Sequence, residues 1–336
     1  MDAERVLAGN APRAGDEGHD KRRRGKLKGT LAKPTRMLLA PLICSHVLLA
    51  VLVALIFVPG SKPVPSLLPF LVALCLTESA AVARALRKPD TAWSTFWIAF
   101  MLWALFMLWE VFTTKLNRMH PVLFPSPEAV FGVFANQWPV LLENVASSLE
   151  LLFFGALTAL TAGVLLGLLV GWVKGLREIF TPLAQVLAPI PSVVFAPYLV
   201  AIMPSFGSAS AMVIFLGLFW PTFLNTVIRV ASLDRRILDS ARMLELSSFS
   251  MVGNILLPFM IPGVVAGLRV QLTSAIMMLT FAEMLGAKSG MGYYIINYTN
   301  FANYTNVLAG IIVVGLVVTA LNGLITFVEK HVVTWR

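Results

Sequence analysis

A chain of 336 residues has room for two average soluble domains, yet it is 58% hydrophobic and only 13% charged, where soluble domains carry roughly a quarter charged residues. That excludes an ordinary soluble enzyme. The net charge of +9 does not imply nucleic acid as a partner, because ten of the 26 basic residues fall within the first 36 positions, beside an apolar run, where a tail next to a membrane helix accounts for them.

Apolar runs of about twenty residues, long enough to cross a ~30 Å hydrocarbon core at ~1.5 Å per residue, recur along the chain. Hydropathy predicts spans at about 37–58, 66–86, 93–113, 148–173, 180–203, 209–229, 259–284 and 306–328. The chain therefore reads as an all-α polytopic membrane protein of about eight transmembrane helices. An even number puts both termini on one side. If that side is the cytoplasm, eleven basic residues outside the tail lie inside and four lie outside, Lys62, Lys115, Arg118 and Lys288, which is the bias expected of cytoplasmic loops. Cys44 and Cys75 each sit within an apolar run and outside any CxxC or Cys/His pattern, so they read as small buried apolar residues and no metal site is expected.

The segment 114–147 is too polar to span, and Phe131, Phe134, Trp138 and Leu141 near helical spacing predict an amphipathic surface helix, begun after Pro125-Ser126-Pro127. In the fourth span Gly155, Ala159, Gly163, Gly167, Gly171 and Gly175 recur every four residues, a smooth stripe that admits close helix packing. The fifth span carries Pro182, Pro189, Pro191, Pro197 and Pro204. Broken backbone at membrane depth requires surrounding protein or a wet cavity, so this segment is expected in the interior. The segment 286–305 repeats Asn-Tyr-Thr-Asn at 297–300 and 303–306, read as polar, aromatic docking surface on the outer face.

Between the sixth and seventh spans lies the one sizeable cytoplasmic loop, 230–258. Leu238, Ala241, Leu244, Phe249, Val252 and Leu256 make it amphipathic, and Ser247 or Ser248 can cap a second helical segment ending at Pro258. An apolar face below the bilayer needs a partner. This loop resembles the hallmark of the membrane permeases of binding-protein-dependent ABC importers, an EAA triplet, three residues, a Gly, and an Ile/Val-x-Leu-Pro ending. Asp239, Ser240 and Ala241 stand at the triplet, and Ile255, Leu256, Leu257 and Pro258 at the ending; Glu245 stands where that family has Gly. The strings FPSPEAV at 124–130, PIPSVVFAP at 189–197, PTFLNT at 221–226, IPGVVAGLR at 261–269 and AEMLGAKSGMGY at 282–293 are similar to the nitrate, sulfonate, taurine and bicarbonate subfamily. The likeness covers about residues 93–336, whose six spans would form the core of a type I ABC importer permease. The tail 1–36 and an extra two-helix segment 37–92 lie outside it.

The resemblance implies a subunit that is not an enzyme, with no cofactor of its own. Its expected partners are a second copy in a homodimer, two cytoplasmic ATPase subunits carrying ATP and Mg, an extracytoplasmic solute-binding protein and the lipid bilayer, without nucleic acid. The expected location is the bacterial inner membrane, both termini cytoplasmic. No phosphate-binding G-x-x-x-x-G-K-[ST] loop is present in the sequence. ATPase coupling is expected at Asp239, Ser240, Ala241, Leu244, Glu245, Phe249, Leu257 and Pro258. Asn225, Thr226, Arg269, Gln271, Thr273, Ser274 and Glu283 are candidates for a polar pathway or for ties between helices. Arg269, about ten residues past Pro258, reads either as a lure for an anion or as a structural bridge. Glu283 reads as an anchor for the outer loop ahead of a substrate contact. The expected cargo is a small anionic solute of the nitrate, sulfonate or taurine type; a vitamin or pyrimidine precursor, or an ion-coupled secondary transporter, are the alternatives.

Overall fold

The computed structural model describes residues 39–60, 66–245 and 247–332, so the basic tail and its expected topological role lie outside the described residues. Regular structure among the described residues is helical throughout. In chain order the helices are α1 (Leu39–Phe57), α2 (Leu68–Arg87), α3 (Ala92–Glu110), α4 (Pro127–Asn136), α5 (Trp138–Trp172), α6 (Lys174–Leu187) and α7 (Ala196–Ile202). They continue as α8 (Phe206–Ala231), α9 (Arg235–Met243), α10 (Ser248–Met251), α11 (Leu257–Met284), α12 (Met291–Asn300) and α13 (Tyr304–Val332). Seven runs are long and apolar enough to cross a membrane, and the pair Lys174–Leu187 and Ser192–Ile202, bent by 81°, makes up to eight. The fifth span is this broken pair, as its prolines lead one to expect, because Pro189 and Pro191 withdraw the backbone donors on which a continuous helix depends.

The chain forms two compact units, Met1–Pro121 with Ser126–Ala129, and Val122–Pro125 with Val130–Arg336. The first unit includes α3. In it Leu52, Phe70, Leu74 and Trp103 are the buried apolar centre, and Phe70 meets the edge of Phe106 at 5.7 Å. His46 Nε2 lies 3.0 Å from Glu78 Oε1, a tie between α1 and α2 that the sequence does not advertise, since the two residues are 32 positions apart. Cys44 and Cys75 are unpaired and exposed, correcting the expectation that both are buried.

At the end of α3 the chain widens into a π turn, Val111–Lys115, and a buried polar cluster forms. Lys115 Nζ lies 3.1 Å from Glu110 Oε1 and donates to Val58 O at 2.6 Å, while Thr114 Oγ1 donates to Glu110 Oε2 at 3.1 Å. Glu128, in the first turn of α4, joins Glu110 with no exposed surface on either residue. Burial, then the neighbouring Glu110 carboxyl, pushes Glu128 up from 4.5 to about 7. The folded chain thus holds a proton that the unfolded chain has released, and stability is greatest at acid pH and falls as pH rises from about 4.5 to about 7. The melting temperature should fall between about pH 4.5 and about pH 7, and Glu128→Gln should flatten that fall. An unchanged slope in the variant contradicts the assignment.

In the second unit α5 and α8 form the tightest seam. A Cβ built on Gly155, Gly163, Gly167 or Gly171 would lie 2.7 to 3.0 Å from the Cβ of Ile214, Thr222, Thr226 or Val230 respectively. The two helices therefore touch backbone to side-chain root, the contact that a small-residue stripe permits. The facing residues advance together, so α5 and α8 run parallel. The chain leaving α5 at one end must then recross to begin α8 at the other, which makes the bent α6–α7 pair one traverse, the eighth among the described residues. The contacts of α8 with α11 run the opposite way, Gly217 facing Met278 and Gly263 facing Arg229.

The amphipathic surface helix expected over 125–147 is instead α4 followed by the first turns of α5, which begins at Trp138. Asn144 and Ser148 lower the hydropathy there, yet both are buried.

Candidate functional site

Helix α8 presents Thr222, Asn225, Thr226 and Arg229 at spacings of three and four, so they share one face. Opposite, α11 presents Met260, Gly263, Val264, Ala266, Gly267 and Gln271, and together these residues line a cavity of ≈300 Å³. Two glycines in α11 leave the room, and one of them does more. A Cβ at Gly263 would overlap Cζ and Nη1 of Arg229, so only glycine allows the guanidinium to lie across α11 there. Thr222 Oγ1 donates to Gln271 Oε1 at 3.2 Å, joining the two helices at one end of the cavity, and Thr226 Oγ1 donates to Thr222 O at 2.8 Å.

Asn225, Thr226 and Gln271 are thus brought to one cavity. The other sequence candidates are elsewhere. Arg269 donates to Thr326 Oγ1 of α13, and Thr273 Oγ1 donates to Arg269 O at 2.8 Å and meets Asn322 Oδ1 at 3.4 Å. Ser274 Oγ donates to Val270 O in its own helix at 3.1 Å. These three residues lie on the α13-facing or outer side of α11. Arg229 was missed by sequence reading, which counts it among the basic residues beyond the sixth span; the signal was its place four residues after Asn225 on a polar face.

Glu283 has no exposed surface. It accepts from Ser148 Oγ at 2.6 Å and from Gly292 N at 2.8 Å. Ser148 Oγ in turn accepts from Met291 N at 2.8 Å, and Asn144 Oδ1 accepts from Gly290 N at 2.9 Å. The first N–H groups of α12, which a helix leaves without internal acceptors, are held by side chains of α5 and α11. Gly290, at φ 118°, and Gly292 fit there because a Cβ would overlap the Glu283 carboxyl or Thr280 O. Farther along α12, Tyr294 and Tyr298 hydroxyls each donate to Gln137 Oε1 at 3.2 Å, as does Asn306 Nδ2 of α13 at 3.3 Å. Burial holds the Tyr294 phenol above its ordinary range.

The loop 230–258 forms α9, a turn, and α10, which passes through a π turn at Val252–Leu256 into α11. Asp234 Oδ1 accepts from Arg236 N at 2.9 Å and Ser247 Oγ from Ser250 N at 3.2 Å, so Ser247 is the cap of α10. Leu233, Ala241, Met251 and Leu256 are buried with Leu168, Val230 and Met260. Ser240 Oγ donates to Arg236 O at 2.8 Å, and Leu257 and Pro258 open α11. Met243 and Leu244 point away, 81% and 72% exposed. The side chains of Asp239 and Phe249 lie outside what the structure describes. Glu245 stands in the left-handed region at φ 51°, the conformation for which glycine is ordinarily used, at a cost of roughly 1 kcal/mol.

A family model for the inner membrane component of binding-protein-dependent transport systems matches residues 159–334, which includes the glycine seam from Gly163 onward, the cavity and the loop. The chain is 32% identical over 193 residues to the nitrate import permease protein NrtB of Leptolyngbya laminosa, covering 57% of this chain and 69% of that one. It is 28% identical over 182 residues to the putative aliphatic sulfonates transport permease protein SsuC of Bacillus subtilis (strain 168), covering 54% and 66%. Among solved structures, the inward-facing MetNI methionine ABC transporter is similar at 18% identity and a TM-score of 0.46, covering 58% of this chain and 93% of that chain.

Proposed function

We propose, for a chain that belongs to the inner membrane components of binding-protein-dependent transport systems, that its cargo is a small oxyanion of the nitrate or sulfonate class. The observation that carries this is the likeness to both a nitrate and an aliphatic sulfonate permease. The chain is the permease subunit of an ABC importer. In this reading a second copy completes the pathway, two cytoplasmic ATPase subunits supply the ATP and Mg chemistry, and an extracytoplasmic binding protein delivers the solute. The subunit sits in the inner membrane with its termini in the cytoplasm, and the cavity between α8 and α11 is a segment of the route.

The loop 230–258 is the ATPase docking element. Its inward face is spent on Leu168, Val230 and Met260, while Met243 and Leu244 are exposed apolar side chains open to a partner. In this reading Arg269 is a structural bridge to α13 and Glu283 an anchor for α12. Replacing Met243 and Leu244 together with Asp should release the ATPase subunit during purification and abolish uptake, with the chain still inserted. Retained copurification and full uptake would remove the docking role. The cargo is tested by deleting the gene and measuring uptake of labelled nitrate and of an alkanesulfonate; unchanged saturable uptake of both counts against the substrate class.

A further inference from the structure

We infer that Arg229, Gln271 and Asn225 form a binding station for a free small oxyanion within the α8–α11 cavity, Gly263 and Thr222 positioning the first two. This deepens the importer reading and rests on it for the direction of travel. An arginine in the last turn of a helix ordinarily serves that helix's free carbonyls. Here three of those carbonyls are already taken: Ser232 N donates to Ile228 O and Arg229 O at 3.0 and 3.1 Å, Ser232 Oγ donates to Arg229 O at 2.9 Å, and Leu233 N donates to Val230 O at 3.3 Å. Arg229 enters none of the ion pairs among the described residues, and no carboxylate lines the cavity. Its guanidinium is instead led across α11 over the bare Cα of Gly263.

Gln271 is oriented in a complementary way. Its Oε1 is occupied by the Thr222 hydroxyl, which turns the Nε2 donors toward the Gly267 side, where a Cβ would stand 3.8 Å from Nε2. Asn225 projects from the same face of α8, exposed to the cavity. The wall therefore offers a cationic fork, an amide with its oxygen already used and a second amide. Guanidinium forks match the two-oxygen edge of an oxyanion. At ≈300 Å³ the cavity holds roughly ten waters' worth of volume, room for a small anion with part of its hydration.

The test uses the full purified chain in nanodiscs of zwitterionic lipid, without ATPase or binding protein. Melting temperature is followed against nitrate and methanesulfonate at ionic strength held constant with gluconate. A saturable stabilisation is expected in the wild type. Loss of a charge-assisted hydrogen bond predicts a half-saturating concentration about tenfold or more higher in Arg229→Gln, with Arg229→Lys between the two because a single ammonium lacks the fork. Gly263→Ala should weaken binding with the arginine still present, the mark of a positioning residue, while Asn322→Ala, on the other side of α11, should leave it unchanged. If Arg229→Gln does not fold, Asn225→Ala and Gly263→Ala carry the same comparison. Absence of any saturable response in the wild type, a response within about twofold in both Arg229→Gln and Gly263→Ala, or stabilisation by anionic lipid alone would overturn the station. Because binding is read apart from uptake, a chain that imports neither nitrate nor sulfonate leaves this result standing, and the converse holds.

Discussion

Gly167→Leu is expected to prevent stable assembly of α5 against α8. A Cβ at position 167 would lie 2.7 Å from Thr226 Cβ and 3.0 Å from Phe223 O, so even the first carbon of a side chain forces the facing backbone away. The displacement is shared by the neighbouring contacts at Gly163 and Gly171, and association in lipid rests on such packing rather than on water exclusion. Overpacking of a tight contact costs about 1–3 kcal/mol and occasionally more, and a seam lost over several turns belongs at the upper end. The control must be chosen by structure. Leu168, next in the chain, is 2% exposed and belongs to the core around Met260, whereas Leu169 is 53% exposed. Leu169→Ala should therefore be near neutral and Gly167→Leu severe in a thermal unfolding assay in detergent; equal tolerance of the two would refute the seam.

Glu283→Leu is the second large effect. The substitution leaves Gly292 N–H and the Ser148 hydroxyl without their acceptor in a site with no exposed surface, at roughly 1–3 kcal/mol for each orphaned group. Glu283→Gln should cost much less. Its amide oxygen still accepts from Gly292 N, and its amide N–H can donate to Ser148 Oγ, which already accepts from Met291 N. An anchoring role thus predicts a large gap in melting temperature between the Leu and Gln variants, with uptake following stability. A substrate-contacting carboxylate predicts instead that Gln abolishes uptake at nearly normal stability, and that pattern would displace the anchor.

Much of this architecture is legible in the residues, and the parts that are not have physical causes. The glycine seam can be read because its period of four is a helix period and small residues have few other reasons to recur that way. The break in the fifth span can be read because proline removes a donor wherever it falls. The early start of α5 at Trp138 could not be read from hydropathy, since Asn144 and Ser148 are polar for the sake of α12, a partner some 145 positions away. The same blindness hid the His46–Glu78 tie. Among the pathway candidates, Asn225, Thr226 and Gln271 share the cavity while Arg269 and Thr273 turn to α13, a division set by rotation about the axis of α11. Arg229 escaped because a basic residue at the end of a span is normally a topological signal.

The parallel seam also limits how the bundle can move. Ile214, Thr222, Thr226 and Val230 are β-branched bumps set into the glycine hollows of α5 at matching intervals, so sliding one helix along the other meets a clash until a full interval, about 6 Å at 1.5 Å per residue, has passed. Small displacements along that line are blocked, and α5 and α8 travel as one stiff lever. Across the other face of α8 the contact with α11 is apolar around Ile214, Leu218, Ile276 and Leu279, and it is interrupted by the polar cavity only at the Arg229 end. A displacement of α11 against the α5–α8 pair therefore meets least interlocked carbon at the cavity end, beside Gly263 and Gly267.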